Sequence, residues 1–301
     1  MLLYQLHGLT VSSIVALPEL LHAPAGATPQ VHIRHGRVDP DGLANATTLG
    51  PFCQAGARHL WLNVPEVARY LISDGHSITI DPRPGVDDAS VRVFLLGSGL
   101  GALLFQRGFL VLHGNAIRVG DACLVCAGHS GTGKSTLAAS FLRRGHEILA
   151  DDVIAVNDAG EAIPGFPRLK LWRDAAERLG IDTGGLQRIR PTLEKFNYPL
   201  EDGFCGETLP IRWLYILHTR NRPGYELEPV HGMARFEPLR RNTYRVRYMD
   251  GMTLQAGHLR LCGQLAGKIR LVRVHRARAG LSPDDLAGIL LEDALAHAPT
   301  P

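Results

Sequence analysis

Short apolar runs alternate with turn-forming residues over the first part of the chain. Leu9–Ala16, Val31–Ile33 and Ser77–Ile80 are separated by clusters of Pro, Gly and Asn. Apolar runs of this length between turn residues are typical of β-strands. The pattern therefore predicts a β-rich N-terminal lobe over residues 1–85.

A longer apolar stretch follows, from Asp87 to Gly108. Acidic residues precede it and a glycine ends it, as expected at the two ends of a helix, so we predict one buried helix. Within it, Gly97, Gly99 and Gly101 look like part of a dinucleotide-binding fingerprint. No strand precedes them, so close packing of the helix is the favoured interpretation.

Predicted strands and helices then alternate. Ala122–Ala127 is an uninterrupted apolar run typical of a strand buried on both faces, Lys134–Arg144 has helical spacing, and Glu147–Ala150 is a short strand. A final helix starts at Ser282, where a Ser N-cap is followed by Pro and two acidic residues. Residues 86–301 are therefore predicted to form a second, mixed α/β region.

A glycine-rich loop lies between the apolar strand and the following helix. Its sequence matches the phosphate-loop pattern GxxxxGK[ST] in full, and the strand and helix around it are the context in which that pattern is informative. Backbone N–H groups of such a loop cradle phosphate oxygens, the lysine reaches the β and γ phosphates, and the hydroxyl is offered to Mg²⁺. The predicted nucleotide-binding residues are Gly128, His129, Ser130, Gly131, Thr132, Gly133, Lys134, Ser135 and Thr136.

Two aspartates follow the next strand. Asp151 and Asp152 come 16 and 17 residues after Ser135, and open α/β sheets bind their ligands at the carboxyl ends of strands. Phosphoryl transfer needs a carboxylate for the metal and another that deprotonates the attacking hydroxyl. A turn with two solvated acids is the alternative, and the position one helix after a phosphate loop favours the functional interpretation.

His113 and a cysteine pair near the loop each have two interpretations. His113 precedes the loop strand, and spacing alone favours a core histidine over a partner of a catalytic carboxylate. Cys123 and Cys126 resemble half of a metal or redox site, but no second pair follows and both lie in the apolar strand. Core packing is therefore favoured for the two cysteines.

Cations later in the chain are candidate contacts for the acceptor. Arg168 and Lys170 share one face of an extended segment, and Lys195 is a weaker candidate of the same kind. Exposed cations on an edge strand are the alternative. The last third is also locally basic, which suggests either docking of an acidic peptide or a solvated face. Its arginines are Arg240, Arg241, Arg245, Arg247, Arg270, Arg273, Arg276 and Arg278.

Composition narrows the class of protein. The chain has 301 residues, 45% of them hydrophobic, and a net charge of +3, which is globular and too weakly basic to indicate nucleic-acid binding. The longest apolar run is broken by glycines and is shorter than a membrane span, and no basic segment resembles a secretory signal. Five cysteines suit a reducing compartment. We therefore expect a cytoplasmic protein without a membrane or nucleic-acid partner.

Four segments together resemble the catalytic domain of HPr kinase/phosphorylase. They are Gly128–Ser135, Arg144–His146, Ala150–Asp152 and, upstream, Leu112–Gly114. The resemblance implies a phosphate-loop kinase core on a fold akin to phosphoenolpyruvate carboxykinase, which uses ATP and Mg²⁺ to phosphorylate a protein serine. It also implies an active role for His113, in place of the core interpretation.

The same resemblance implies roles for individual residues. Asp151 would be the base toward the acceptor hydroxyl and His113 would assist that carboxylate, with Lys134 on the phosphates. Ser135 and Asp152 would serve the metal.

A wider set of segments looks like the HPr-kinase-like proteins of ribosomal-peptide clusters, including kinases that phosphorylate a serine of lasso precursor peptides. These segments are Gly8–Ser13, Leu17–Leu20, Gln106–Gly108 and Pro167–Trp172.

The sequence thus predicts a mixed α/β kinase that transfers the γ-phosphoryl group of ATP to a serine hydroxyl, on a peptide or a small protein. The Gly-Ile-Asn-Val segment that accompanies the phosphorylase reaction is absent, so we predict one-way transfer. A kinase for a small molecule such as free serine and an ATP-sensing regulator without chemistry are the alternatives. The sequence is compatible with an oligomer.

Overall fold

Residues 2–82 form nine strands that pair into one sheet. The computed structural model describes residues 1–277 and 280–297. The sheet order is β3-β1-β2-β4-β9-β8-β7-β6-β5, and only the pairs β2/β4 and β4/β9 are parallel. The strands are β1 (Leu2–Leu6), β2 (Leu9–Ser13), β3 (Leu21–His22), β4 (Val31–His35), β5 (Thr47–Gly50), β6 (Cys53–Gly56), β7 (His59–Val64), β8 (Ala68–Ser73) and β9 (Ser77–Pro82).

The predicted long helix packs on this sheet. It consists of α1 (Asp88–Phe94), a π-helical turn (Leu95–Gly99) and α2 (Leu100–Gln106). The carboxylate of Asp87 accepts a hydrogen bond from the backbone of Ser90 and caps the helix, as predicted. A Cβ atom at Gly101 would lie 2.7 Å from the ring of Tyr244, which confirms the close-packing interpretation of the glycines.

Among the described residues, one helix, Asp88–Gln106, has the length and hydropathy of a membrane span. The uncharged apolar run inside this helix is shorter than a membrane span, so the sequence alone predicts none. Within the protein, 78% of the apolar window is buried, as in the core helix of a globular domain. The cytoplasmic location stays a prediction.

The apolar core of the first sheet extends beyond residue 85. Leu95 and Leu103 from the long helix, and Tyr244 and Met249 from much later in the chain, belong to the same buried cluster as Tyr70. One core therefore joins the N-terminal strands to elements of the second region. The division into residues 1–85 and 86–301 stays a prediction.

The second sheet carries the phosphate loop. Its order is β10-β14-β15-β18-β12-β11-β13, with β20 beside β18 and β19 beside β20, and β16 pairs separately with β17. The strands are β10 (Leu110–Leu112), β11 (Gly114–Val119), β12 (Ala122–Gly128), β13 (Ile148–Asp151), β14 (Ile154–Val156), β15 (Glu161–Ile163), β16 (Arg168–Trp172), β17 (Lys195–Pro199), β18 (Leu209–Arg220), β19 (Tyr225–Val230) and β20 (Arg270–Ala277).

Of the helices that follow α2, Arg247–Met252 packs on β5, β6 and β7 of the first sheet, and the others belong to the second region. The oxygen of Ser282 accepts a hydrogen bond from the backbone of Asp285, which confirms the predicted start of the last helix. The remaining helices are α3 (Lys134–Arg143), α4 (Arg173–Arg178), α5 (Phe236–Arg241), α6 (Arg247–Met252), α7 (Gln255–Ala266) and α8 (Pro283–Ala296), with 3₁₀ turns at Glu201–Gly203 and Gly232–Arg235.

Five strands of this sheet run in the same direction, namely β12, β13, β14, β18 and β20. β12 is parallel to β18 and β18 to β20, while β11 is antiparallel to both β12 and β13. The carboxyl ends of β13, β12, β18 and β20 therefore meet at one edge, where ligand sites of α/β sheets form. The mixed α/β class is confirmed, and the finer likeness to a carboxykinase core stays a prediction.

Candidate functional site

The glycines of the loop are required by its backbone. Gly128 has φ +142°, and a Cβ atom there would lie 2.7 Å from the carbonyl oxygen of Leu217. Gly131 and Gly133 have φ +83° and +86°, in the region that side chains disfavour. The chain therefore wraps into a cradle at the end of β12 and passes directly into α3.

Lys134 lies inside this cradle. Its ammonium donates to the carbonyl oxygens of Gly128 (2.8 Å) and His129 (3.1 Å). Burial lowers the pKa of Lys134, and the carboxylates of Asp152 and Asp151 partly oppose that shift. A buried cation at the centre of the loop is arranged to meet phosphate oxygens.

Asp151 ends β13 beside the loop serine. One carboxylate oxygen accepts a hydrogen bond from the side-chain amide of Asn115 and lies 3.5 Å from the hydroxyl of Ser135. The other accepts from the backbone N–H of Lys170 at 2.7 Å. Burial, together with the negative charge of Asp152, raises the pKa of Asp151.

Asp152 has different partners. The ammonium of Lys170 donates to its carboxylate at 2.6 Å. His113 Nδ1 lies 3.2 Å from the carboxylate and 3.0 Å from the backbone carbonyl oxygen of Asp152, and since both are acceptors, Nδ1 carries the proton. Burial alone would raise the pKa of Asp152, but Lys170 and His113 hold it well below its usual value. The backbone φ of +76° is unusual for an aspartate and is fixed by these contacts.

These contacts differ from the pairing that the resemblance implied, and the roles of the two aspartates stay predictions. His113 was expected to assist Asp151, and Ser135 was expected to share the metal with Asp152. The structure places His113 on Asp152 and Ser135 beside Asp151. The physical reason is the path of the backbone. Asp151 is the last residue of β13 and faces the loop, whereas the backbone N–H of Asp152 bonds to Gly114 at the start of β11.

The cations of β16 are buried, so the interpretation as an exposed edge strand is wrong. Lys170 is occupied by Asp152. Arg168 Nη1 lies 3.6 Å from the carboxylate of Glu19 and donates to Asn197 at 3.1 Å, so it contacts the N-terminal region rather than an acceptor. Lys195 alone of these three lines the cleft, with its ammonium 5.5 Å from the ring centre of Trp172.

Three residues of the site had no role there predicted from the sequence, although Arg276 was among the candidate docking arginines and Trp172 lay in a segment of the resemblance. Asn115 holds Asp151, Arg276 donates to the carbonyl oxygen of Thr132 in the loop at 2.8 Å, and the half-exposed Trp172 lines the cleft. A signal for Asn115 was available, since it stands two residues after His113 on an extended segment. The other two depend on strand order, which the sequence does not reveal.

The other candidate groups separate from the site. Cys123 and Cys126 are free and fully buried, which confirms core packing. Arg270, Arg273 and Arg241 pair with acidic partners. Less positive charge is therefore available for docking an acidic peptide than the sequence suggests. Arg278 lies outside the described residues.

The loop, His113 and both aspartates line one cleft of about 820 Å³. In the part of the chain that the structure describes, no group of three His, Cys, Asp or Glu side chains could hold a metal ion by itself. A Mg²⁺ ion bound with a nucleotide takes most ligands from phosphate and water and one or two from protein. Ser135 and Asp151 fit that requirement.

Part of the chain is similar to one family of known proteins. Residues 109–171 match the HPr Serine kinase C-terminal domain. This stretch contains His113, the loop and both aspartates. An HPr kinase/phosphorylase of Caldanaerobacter subterraneus is 36% identical over 52 residues, 17% of each chain. That of Prosthecochloris aestuarii is 37% identical over 51 residues, 17% of this chain and 15% of that protein.

These matches support an HPr-kinase-like family for residues 109–171. The matched part spans about a sixth of the length of these curated relatives. The Hpr(Ser) kinase/phosphatase from Coxiella burnetii aligns with 62% of this chain and 95% of that chain, at 12% identity and a TM-score of 0.27. An alignment at that score adds nothing to the fold described above.

Proposed function

We propose that this protein is an ATP- and Mg²⁺-dependent kinase that transfers the γ-phosphoryl group to a serine hydroxyl of a peptide or small protein. The observation that carries the proposal is one cleft with a phosphate loop and two carboxylates, each with its own partners. The match of residues 109–171 to the HPr Serine kinase C-terminal domain supports the same reaction class.

The loop binds the polyphosphate in this proposal. Its backbone N–H groups and the start of α3 supply partial positive charge, and Lys134 moves from the loop carbonyls to the β and γ phosphates. Ser135 and Asp151 would hold Mg²⁺, which neutralises charge on the transferred group. Thr136, the next residue on α3, also lines the cleft.

Asp152 accepts the acceptor's proton. The serine oxygen forms a bond to the γ phosphorus, the bond from that phosphorus to the β,γ-bridging oxygen breaks, and the hydroxyl proton passes to the Asp152 carboxylate. Lys170 and His113 keep this carboxylate ionised and oriented for the proton. The leaving group is ADP.

Taken alone, the pKa directions of the two aspartates favour the reverse assignment, with Asp151 as the base and Asp152 on the metal. The raised pKa of Asp151 would suit a base, and the lowered pKa of Asp152 would suit a permanently charged ligand. A bound divalent cation is the largest charge in such a site and would lower the pKa of Asp151. The contact between Ser135 and Asp151 therefore supports this assignment.

The acceptor that we propose is a peptide serine, with lasso-type precursor peptides as the class that the resemblance implies. Free serine and ATP sensing without transfer are the competing functions. Asp152 with its two partners argues against a pure sensor, because a sensor has no use for an oriented base. We also propose one-way transfer and a cytoplasmic location.

A panel of acceptors tests the proposal. The protein is incubated with ATP, Mg²⁺ and, separately, serine-containing peptides, free serine and HPr, and each acceptor is weighed by mass spectrometry. We expect one added phosphoryl group on a peptide serine. Transfer to free serine alone would favour the small-molecule kinase, and no transfer to any acceptor would favour the sensor. For direction, phosphorylated product is incubated with inorganic phosphate without ADP, and pyrophosphate release would contradict one-way transfer.

A further inference from the structure

The strand order places two different environments on either side of the phosphate loop. β13 lies two strands from β12 on one side and β20 two strands from it on the other. With strands ~4.8 Å apart, each lies about 10 Å from β12 at the same edge. Asp151 ends β13, whereas Thr219 and Arg276 are paired neighbours near the ends of β18 and β20.

The catalytic carboxylates fix the direction of the polyphosphate. The γ phosphate must lie at Asp152 and His113 for transfer to occur, so the nucleoside must extend away from them. Trp172 and Lys195 belong to the carboxylate side, because β16 also carries Lys170, whose ammonium lies 2.6 Å from Asp152. The opposite side is left for the nucleoside.

The opposite end of the cleft has the chemistry of a base site. Leu281, Pro283 and Leu286, at the start of α8, line it with apolar surface, and the exposed Thr219 adds one hydroxyl. Small-molecule sites combine such apolar walls with a few polar groups. Burial lowers the pKa of the neighbouring His218, so its ring adds no charge at neutral pH.

Arg276 joins this end to the phosphate loop. Its Nη2 donates to the carbonyl oxygen of Thr132, while its buried Nε has no partner among the described residues. A buried N–H without a partner is costly unless a ligand satisfies it. Arg276 also lines the cleft, so a turn of its guanidinium toward a phosphate oxygen next to the nucleoside would satisfy this N–H.

We propose that the nucleoside of the bound triphosphate lies between the ends of β18 and β20 and the start of α8, against Leu281 and Pro283, with Arg276 on the adjoining phosphate. This inference rests on the proposed function. It assigns Trp172 and Lys195, at the other end, to the acceptor side.

Two ligands distinguish contacts to the nucleoside from contacts to the phosphates. Binding of ATP and of inorganic tripolyphosphate, each with Mg²⁺, is measured by calorimetry on the full chain. We expect Leu281→Ala to weaken ATP binding about tenfold, the usual cost of lost apolar contact in a pocket, and to leave tripolyphosphate binding unchanged. Thr219→Trp places a large side chain at an exposed position of the proposed base site. It should also weaken ATP binding and leave tripolyphosphate binding unchanged. Trp172→Ala is the matched control and should leave both affinities unchanged.

The outcomes distinguish this inference from the proposed function. ATP affinity that is unchanged in both base-end variants would overturn the nucleoside site, as would a loss confined to Trp172→Ala. An equal loss for ATP and tripolyphosphate would contradict a base contact. If the wild type binds neither probe, the phosphate-loop function itself fails, and the nucleoside site fails with it.

Discussion

The two adjacent aspartates have the same chemistry but opposite surroundings. Asp151 lies beside Ser135 and has a raised pKa, whereas Asp152 is paired with Lys170 and His113 and has a lowered pKa. In the proposed mechanism, this difference assigns Asp151 to the metal and Asp152 to the acceptor.

Substituting each aspartate should separate the two roles. Asp152→Asn should retain ATP and Mg²⁺ binding and slow transfer by ~10²–10⁴, the usual contribution of a positioned base. Asp151→Asn should weaken Mg²⁺ binding instead. Calorimetry and single-turnover transfer are measured on both variants, and the reverse result would restore the assignment that the resemblance implied.

The stability of the same variants should depend on pH with opposite signs. Folding raises the pKa of Asp151 above its value of 3.8, so its ionisation costs stability as pH rises through the raised pKa. Asp151→Asn should therefore gain Tm relative to the wild type at pH 7, and the gain should shrink in acid. Folding lowers the pKa of Asp152, whose charge contributes stability above 3.8 that is lost as pH falls. Asp152→Asn should lose Tm at pH 7. Equal shifts in both variants would contradict the two environments.

Sequence reasoning found most of the site's residues but not their partners. The loop, both aspartates and His113 were found because a motif and its spacing are local along the chain. Which carboxylate His113 contacts depends on the pairing of β11 with β13, and Asn115 opposite Asp151 follows from the same register. Pairing between distant segments leaves no local signal.

At the scale of elements, local rules predicted the long helix and the start of the last one. Capping residues and apolar period identify such elements from a few neighbouring residues. The burial of Arg168 and Lys170 was missed because alternation alone does not show that the polar face of β16 meets buried acids rather than water.

The glycines of the long helix give a test at this scale. Gly101→Ala would bring a Cβ atom within 2.7 Å of the buried Tyr244 ring, and such overpacking costs about 1–3 kcal/mol. Gly257→Ala is the matched control, because it lies in α7 with nothing within 4 Å and should be stabilising by about 0.5–1 kcal/mol. Urea unfolding measures both changes. A neutral Gly101→Ala would refute the close-packing interpretation.

At the scale of the whole molecule, a buried charge cluster ties the N-terminal region to α1 and β16. Glu19 of the N-terminal region lies 2.9 Å from Arg92 of α1 and 3.6 Å from Arg168 of β16, and all three side chains are buried. Arg168 and Lys170 share the polar face of β16. The N-terminal sheet is therefore linked to the strand that carries the partner of Asp152.

Removing the shared carboxylate should destabilise the whole fold. Glu19→Gln would leave two buried guanidinium groups uncompensated, which typically costs about 3–5 kcal/mol. Asp174→Asn, which breaks the exposed pair with Arg178, is the control and should cost at most about 0.5 kcal/mol. Chemical unfolding of both variants measures the difference, and equal stabilities would show that the buried cluster holds nothing together.

The most direct test of the kinase assignment is single-turnover transfer to a serine peptide with Mg²⁺ and ATP. ADP and phosphoserine are quantified together for the wild type, Lys134→Ala and Asp152→Asn. We predict equal amounts of the two products in the wild type, loss of both in Lys134→Ala and slow formation of both in Asp152→Asn. ADP without phosphoserine on any serine acceptor, or full transfer by Asp152→Asn, would contradict the account.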